Sequence, residues 1–171
     1  MAQKHKTRVA TKNEVLIRHL FNAPLEVVFN AWSDPVQLKQ WFAPDGCSIH
    51  YKKLDLREGG TFHSCISNPV HGDCWCMGTY IEIIRDKKIV YSIAISNERE
   101  EIVNPTAAGM DPDWPGETLV TITFKAMGSA TEVTLHQTVS ETVAKRTGAH
   151  PSWVQMLERL HRMITDKIIQ S

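Results

Sequence analysis

Neither sign of charge is in excess. Lysine plus arginine and aspartate plus glutamate both total 19. A neutral chain offers no general pull toward nucleic acid or an anionic membrane. Cysteine is scarce, with 4 in 171 residues, too few for a disulfide scaffold and consistent with reduced thiols in the cytoplasm. No apolar run approaches the ~20 residues of a membrane span. Met1 to Asn13 is polar and basic with no apolar h-region, so no secretory signal is expected. Internal repeats and low-complexity segments are missing. So are a serine nucleophile elbow, a His-Glu-x-x-His pair and a dinucleotide fingerprint, and Gly59-Gly60 is a turn, not a phosphate loop. No catalytic residue, cofactor or metal is therefore assigned.

What is present fits a globular fold, with 42% hydrophobic and 22% charged residues. Residues 1–12 read as a flexible tail and 13–171 as a single domain. The clearest helical signal runs from Pro151 to Ile169. Trp153, Leu157, Leu160, Ile164 and Ile168 recur at three- and four-residue steps, and Met156 and Met163 widen the stripe. Pro151 suits the first helical position, and Gly148 lets the chain turn in. Such a helix is about 27 Å long. Its apolar face needs a broad surface to lie on.

The rest of the chain reads mostly as strands. Val15 to Phe21 is the first. Two short helices follow: Pro24 opens one, and Asp34 caps the other with Pro35 at its first position. Trp32, Trp41 and Phe42 give these helices apolar sides. In Cys47 to Arg57 the apolar parity switches from Ile49 and Tyr51 to Leu54 and Leu56. A β-bulge at Lys52-Lys53 explains it. Thr61–Ile66, Cys74–Ile84, Lys88–Ser96, Thr118–Ala126 and Thr131–Ser140 are the remaining strands, with a loop over Ser67–Asp73. Asn97 to Glu117 has three prolines and no period. Structureless stretches of that length tend to be lids, binding loops or disorder. The expected architecture is α+β: a curved antiparallel sheet of six to seven strands wrapped around the long helix.

Several segments together resemble a known family. Phe21-Asn22-Ala23-Pro24 is similar to the Phe-Asp-Ala-Pro opening of bacterial proteins related to the C-terminal domain of the activator of heat-shock-protein-90 ATPase. Trp32-Ser33-Asp34-Pro35, Leu38 and Trp41-Phe42-Ala43-Pro44 resemble the family's Trp-Thr-Asp-Pro…Leu…Trp-Trp-x-Pro run. Leu54-Asp55-Leu56-Arg57-Glu58-Gly59-Gly60 resembles its Asp-x-Arg-x-Gly-Gly turn. Gly78-Thr79-Tyr80-Ile81-Glu82-Ile83 and Trp153…Leu157…Leu160 also fit. The family often carries Arg where His19 stands. The resemblance implies a helix-grip fold of the START-like (SRPBCC), birch-pollen-allergen-like kind. It also implies a cavity between the long helix and the sheet, often holding an apolar small molecule.

The expected function is binding of a small, largely apolar ligand in that cavity. An enzyme of the cyclase or hydrolase kind is the alternative, and a chaperone-associated role is a third reading by analogy of family name. Cavity candidates are Trp32, Trp41, Phe42, Tyr51, Gln137, Trp153, Met156, Leu157, Leu160 and Met163. Gln137 interrupts the apolar row Val133, Leu135, Val139, and either a cavity or an interior hydrogen bond to backbone would satisfy it. His136, on the other face, is expected in solvent. Asp55 and Arg57 read as an ion pair near the sheet edge. His63, Cys65, His71, Cys74 and Cys76 crowd one stretch. A hairpin closing around Pro69-Val70 would put His63 opposite Cys76 and Cys65 opposite Cys74 on one face, where zinc could sit. Buried reduced cysteines are the plainer reading. In the long loop, Met110 and Trp114 are candidates for a lid or for the interface of a two-fold homodimer.

Overall fold

The computed structural model describes residues 13–170. The expected tail, residues 1–12, lies outside them. In order come β1 (Glu14–Phe21), α1 (Leu25–Ser33), α2 (Pro35–Trp41), β2 (Ser48–Leu54), β3 (Thr61–Asn68), β4 (Gly72–Ile84) and β5 (Lys88–Ser96). β6 (Glu117–Met127), β7 (Ala130–Ser140), α3 (Glu141–Thr147) and α4 (Ala149–Gln170) complete the chain. The strands form one seven-stranded antiparallel sheet in the order β1-β7-β6-β5-β4-β3-β2. Each hairpin puts neighbours side by side, and only β1 pairs across the whole sequence, with β7. The α+β helix-grip architecture is the one the pattern predicts.

Local chemistry sets the boundaries. Asp34 caps α2, its side chain accepting from the Val36 N–H at 3.0 Å, and Pro35 follows at the first helical position. Trp41 is fully buried and donates from Nε1 to the Ala31 carbonyl at 2.9 Å, which locks α2 onto α1. The β2–β3 register slips between Tyr51 and Lys53, where the parity change places the bulge. β2 ends at Leu54, so Asp55 to Arg57 lie outside the strand, ahead of the Glu58-Gly59 turn, which Gly60 N closes on the Arg57 carbonyl.

The C-terminal region departs from expectation in two ways. Glu141–Thr147 is a helix, capped by the Ser140 hydroxyl accepting from Val143 N and ended by Gly148 at φ +85°. With Ala144 as its single buried residue, it has no stripe for a pattern to detect. α4 therefore begins at Ala149, and Pro151 is its third residue, still within the turn whose N–H groups lack helical partners. Trp153, Met156, Leu157, Leu160 and Ile164 are buried in one core cluster with Val120, Ile122, Val133 and Leu135 of the sheet. Ile168 is 45% exposed, so the last turn overhangs the sheet edge. Full burial of Leu157 and Leu160 is worth about 1.5–3 kcal/mol each.

Candidate functional site

α4 fills the grip on the β1–β7 side. The space left open lies on the other side, between α1–α2 and the concave face of β2–β5. Trp32, Leu38 and Phe42 form its helical wall. Tyr51, Phe62, Tyr80 and Tyr91 are the aromatic floor, with Ser64 and Cys76 among them. The room between is small, about 40 Å³, enough for about two or three waters.

The floor is ordered by register. Phe62 faces Gly78 across β3 and β4, and a Cβ on Gly78 would lie 2.8 Å from the Phe62 ring and 1.8 Å from the Ser92 carbonyl oxygen. Glycine is thus required for the ring to lie flat there. Tyr80 faces Tyr91, ring centroids 5.8 Å apart, and Phe62 is 5.6 Å and 5.8 Å from them. Burial pushes the phenols of Tyr51, Tyr80 and Tyr91 upward, so all three are neutral at physiological pH. No carboxylate, imidazole, ammonium or guanidinium lines the cavity. Two buried polar atoms in its wall, Trp32 Nε1 and Tyr91 Oη, have no hydrogen-bond partner.

The structure brings three of the ten cavity candidates to this space: Trp32, Phe42 and Tyr51. Trp41 lies behind the wall. Met156, Leu157 and Leu160 pack against the sheet, and Met163 sits half-buried at the core's margin. Gln137 and Trp153 satisfy each other. Trp153 Nε1 donates to Gln137 Oε1 at 2.9 Å, and Gln137 Nε2 donates to Thr118 Oγ1 at 3.0 Å. Gln137 is therefore a side-chain bridge between α4, β7 and β6. Its partners are side chains, not the backbone. Phe62, Tyr80 and Tyr91 escape a reading of the sequence. A hairpin centred on Asp86 sets Tyr80 opposite Ser92, and only the register slip between Tyr80 and Glu82 brings Tyr91 there.

The histidine–cysteine cluster is corrected by one residue of register. Asn68 Oδ1 accepts from the N–H groups of Val70 and His71 at 2.8 and 3.1 Å, and Gly72 takes φ +86°. The turn is three residues long, so His63 pairs with Met77, Cys65 with Trp75 and Cys74 with Ile66. A one-residue shift sends His63 and Cys65 to the convex face and leaves Cys74 and Cys76 on the concave one. His63 Nε2 donates to the Asn97 carbonyl at 2.9 Å and its ring packs on Trp75. Among the described residues no group of three His, Cys, Asp or Glu side chains is placed to hold a metal. His136 is also corrected. It is 7% exposed, with Nε2 3.5 Å from Glu14 Oε1. Asp55 pairs with Arg57 at 2.8 Å in solvent, as a surface ion pair. His19 Nε2 meets His161 Nδ1 at 2.9 Å, joining β1 to α4.

The long loop docks on its own chain. Asn97–Glu101 is a compact turn in which Asn97 Oδ1 accepts from Arg99 N and Glu101 N. Lys52 reaches Glu98 from β2. Further on, Arg146 of α3 grips Asp111 at 2.7 Å and Asp113 at 2.9 Å. Trp114 packs half-buried against the core. Met110 borders an open groove with Pro44, Cys47 and Trp75. Ile66 lines both that groove and the inner cavity, and so stands between the cavity and solvent.

No helix among the described residues is long and apolar enough to cross a membrane. No curated protein matches the chain. Solved structures share the fold. A protein from Arthrobacter aurescens superposes with a TM-score of 0.76 at 15% identity, covering 94% of this chain and 93% of its own. One from Staphylococcus epidermidis gives 0.73 at 22%, covering 95% of each. The AHSA1 protein of Silicibacter pomeroyi gives 0.71 at 15%, covering 90% of this chain and 99% of its own. Residues 22–165 match the sequence model of the Activator of Hsp90 ATPase homolog 1-like proteins, and the chain belongs to that family.

Proposed function

We infer that the protein binds a small, largely apolar molecule in the cavity between α1–α2 and the concave face of β2–β5. The observation that carries this reading is the wall itself. Aromatic rings from helix and sheet line an unfilled space inside the buried core. Protein interiors rarely leave such voids, and an apolar void with a few polar atoms is the usual form of a small-molecule site. At about 40 Å³ the space is far below the roughly 300 Å³ at which drug-sized pockets begin. The occupant is therefore small, at most one ring, and a ring needs the wall to give, because the space as it stands holds only about two or three waters. Phe42, the half-buried part of the wall, is the residue that would have to yield, and Ile66, shared with the groove beside Met110, marks the way in. A lining without a titratable acid–base pair favours binding over turnover. Four free thiols suit a reducing cytoplasm.

The test uses single-ring apolar probes and thermal unfolding, with native mass spectrometry of freshly purified protein. A probe at about 100 times its Kd adds ~2.7 kcal/mol to stability, which is a rise of roughly 5–10 °C for a chain of this size. Ser64→Leu should fill the cavity, fold, and lose the rise. A wild-type protein that carries no small molecule and gains nothing from any probe would overturn the reading.

A further inference from the structure

We propose that the occupant is uncharged and carries a carbonyl oxygen, held by the hydroxyl of Tyr91 and the indole N–H of Trp32. This rests on the cavity reading above and names the chemistry of its ligand. Trp32 is 3% exposed and Tyr91 5%, and both line the same cavity, one from α1 and one from β5. Neither polar atom has a hydrogen-bond partner. Buried polar groups are almost always paired, so two unpaired ones on residues that line one space mark a missing partner. An indole N–H can only donate. Its partner must therefore supply an acceptor oxygen; an alcohol could do so as well, but it also carries a proton that needs an acceptor of its own. A carbonyl oxygen has two lone pairs and can receive from both groups.

The same lining fixes the charge. No cation is present to meet a carboxylate, and no anion to meet an amine. A bare charge in such a place would have to be desolvated without compensation. Aldehydes, ketones and esters on an apolar body fit, whereas fatty-acid anions and amines do not. A trapped water is the competing occupant. It also can accept from both donors, and it has two protons of its own to place.

Three probes of one shape separate these cases. Acetophenone carries the carbonyl, ethylbenzene lacks it, and benzoate replaces it with a charge. Wild-type protein should bind acetophenone roughly tenfold tighter than ethylbenzene, one hydrogen bond's worth, and benzoate weakest. Tyr91→Phe should reduce the acetophenone preference and leave ethylbenzene unchanged. Should that variant fold poorly, the Trp32 indole N–H resonance of wild-type protein gives the second reading, because acetophenone should shift it downfield and ethylbenzene should not. Equal binding of acetophenone and ethylbenzene would sink the carbonyl inference while leaving the apolar site intact. Tightest binding by benzoate would overturn its neutrality. Failure of all three to bind would overturn the site itself.

Discussion

Gln137 shows what one polar residue in an apolar row does here. The row Val133, Leu135, Val139 faces the core, and Gln137 shares that face at 4% exposure. Its amide oxygen takes the Trp153 indole proton, and its amide nitrogen donates to Thr118. Gln137→Leu keeps the volume and removes both bonds. It should cost about 1–3 kcal/mol, because the indole N–H is then buried without an acceptor. Urea unfolding of Gln137→Leu, Trp153→Phe and the double variant gives the coupling. We expect the double variant to be at least ~1 kcal/mol more stable than the sum predicts. Strict additivity would mean that the bridge is incidental. The existence of a partner for Gln137 was legible from the alternation of β7, but its identity was not, since Trp153 is brought to it by the packing of α4. Trp32, Phe42 and Tyr51 line the space, whereas Trp41 and Trp153, aromatics just as conspicuous in the sequence, do not. Tyr91 was hidden by a register slip that no residue type announces.

Elements differ in how much of themselves the sequence displays. The bulge in β2 is visible because apolar parity switches on either side of it. The β3–β4 turn is not, because Pro69-Val70 and Pro69-Val70-His71 are both acceptable turns. The choice is made by the Asn68 side chain and by Gly72. That single residue separates a one-faced cluster of His63, Cys65, Cys74 and Cys76 from the split arrangement observed. The loop between β5 and β6 lies between these extremes. Its Trp114 signals docking, but the partner is Arg146 of α3, an element with no apolar stripe to show itself. The Arg146 guanidinium holds the Asp111 carboxyl below its ordinary range. A carboxylate depressed in the folded state stabilises docking above its unfolded value near 4. That contribution fades as pH falls through the folded value. Arg146→Ala should leave the global melting temperature nearly unchanged. It should speed amide exchange, corrected for intrinsic rate, in Pro105–Gly116, and wild-type protein should show the same release only in acid below about pH 4. If instead Arg146→Ala leaves exchange of that segment as it was, the clamp does not hold the loop. Light scattering on the same variant addresses the homodimer: a change of mass would assign Met110 and Trp114 to an interface, whereas faster probe release at constant mass would assign them to a lid.

At the scale of the whole molecule the sheet does two jobs side by side. The order β1-β7-β6-β5-β4-β3-β2 puts the chain's two ends of the sheet far apart. α4 covers the side of β1, β7 and β6 with a continuous apolar stripe. The two short helices reach from β6 and β7, under α1, to β2, under α2, and the cavity is what remains over β5, β4 and β3. A long helix predicts a grip, but it does not say which half of the sheet it fills. That depends on the lateral position of α4, fixed by contacts such as Trp153–Gln137 and His19–His161 that join residues more than a dozen positions apart. Stability and binding should consequently be separable. Leu157→Ala, at a fully buried position on α4, should cost about 2–5 kcal/mol yet leave probe affinity within twofold, measured at a temperature where the variant remains folded. Ser64→Leu, on the cavity floor, should do the reverse, abolishing probe binding at a small cost in stability. The comparison needs only urea titration and a binding isotherm for each variant. If Leu157→Ala weakens the probe as much as Ser64→Leu does, the cavity depends on α4 after all, and the two halves of the sheet act as one packed unit.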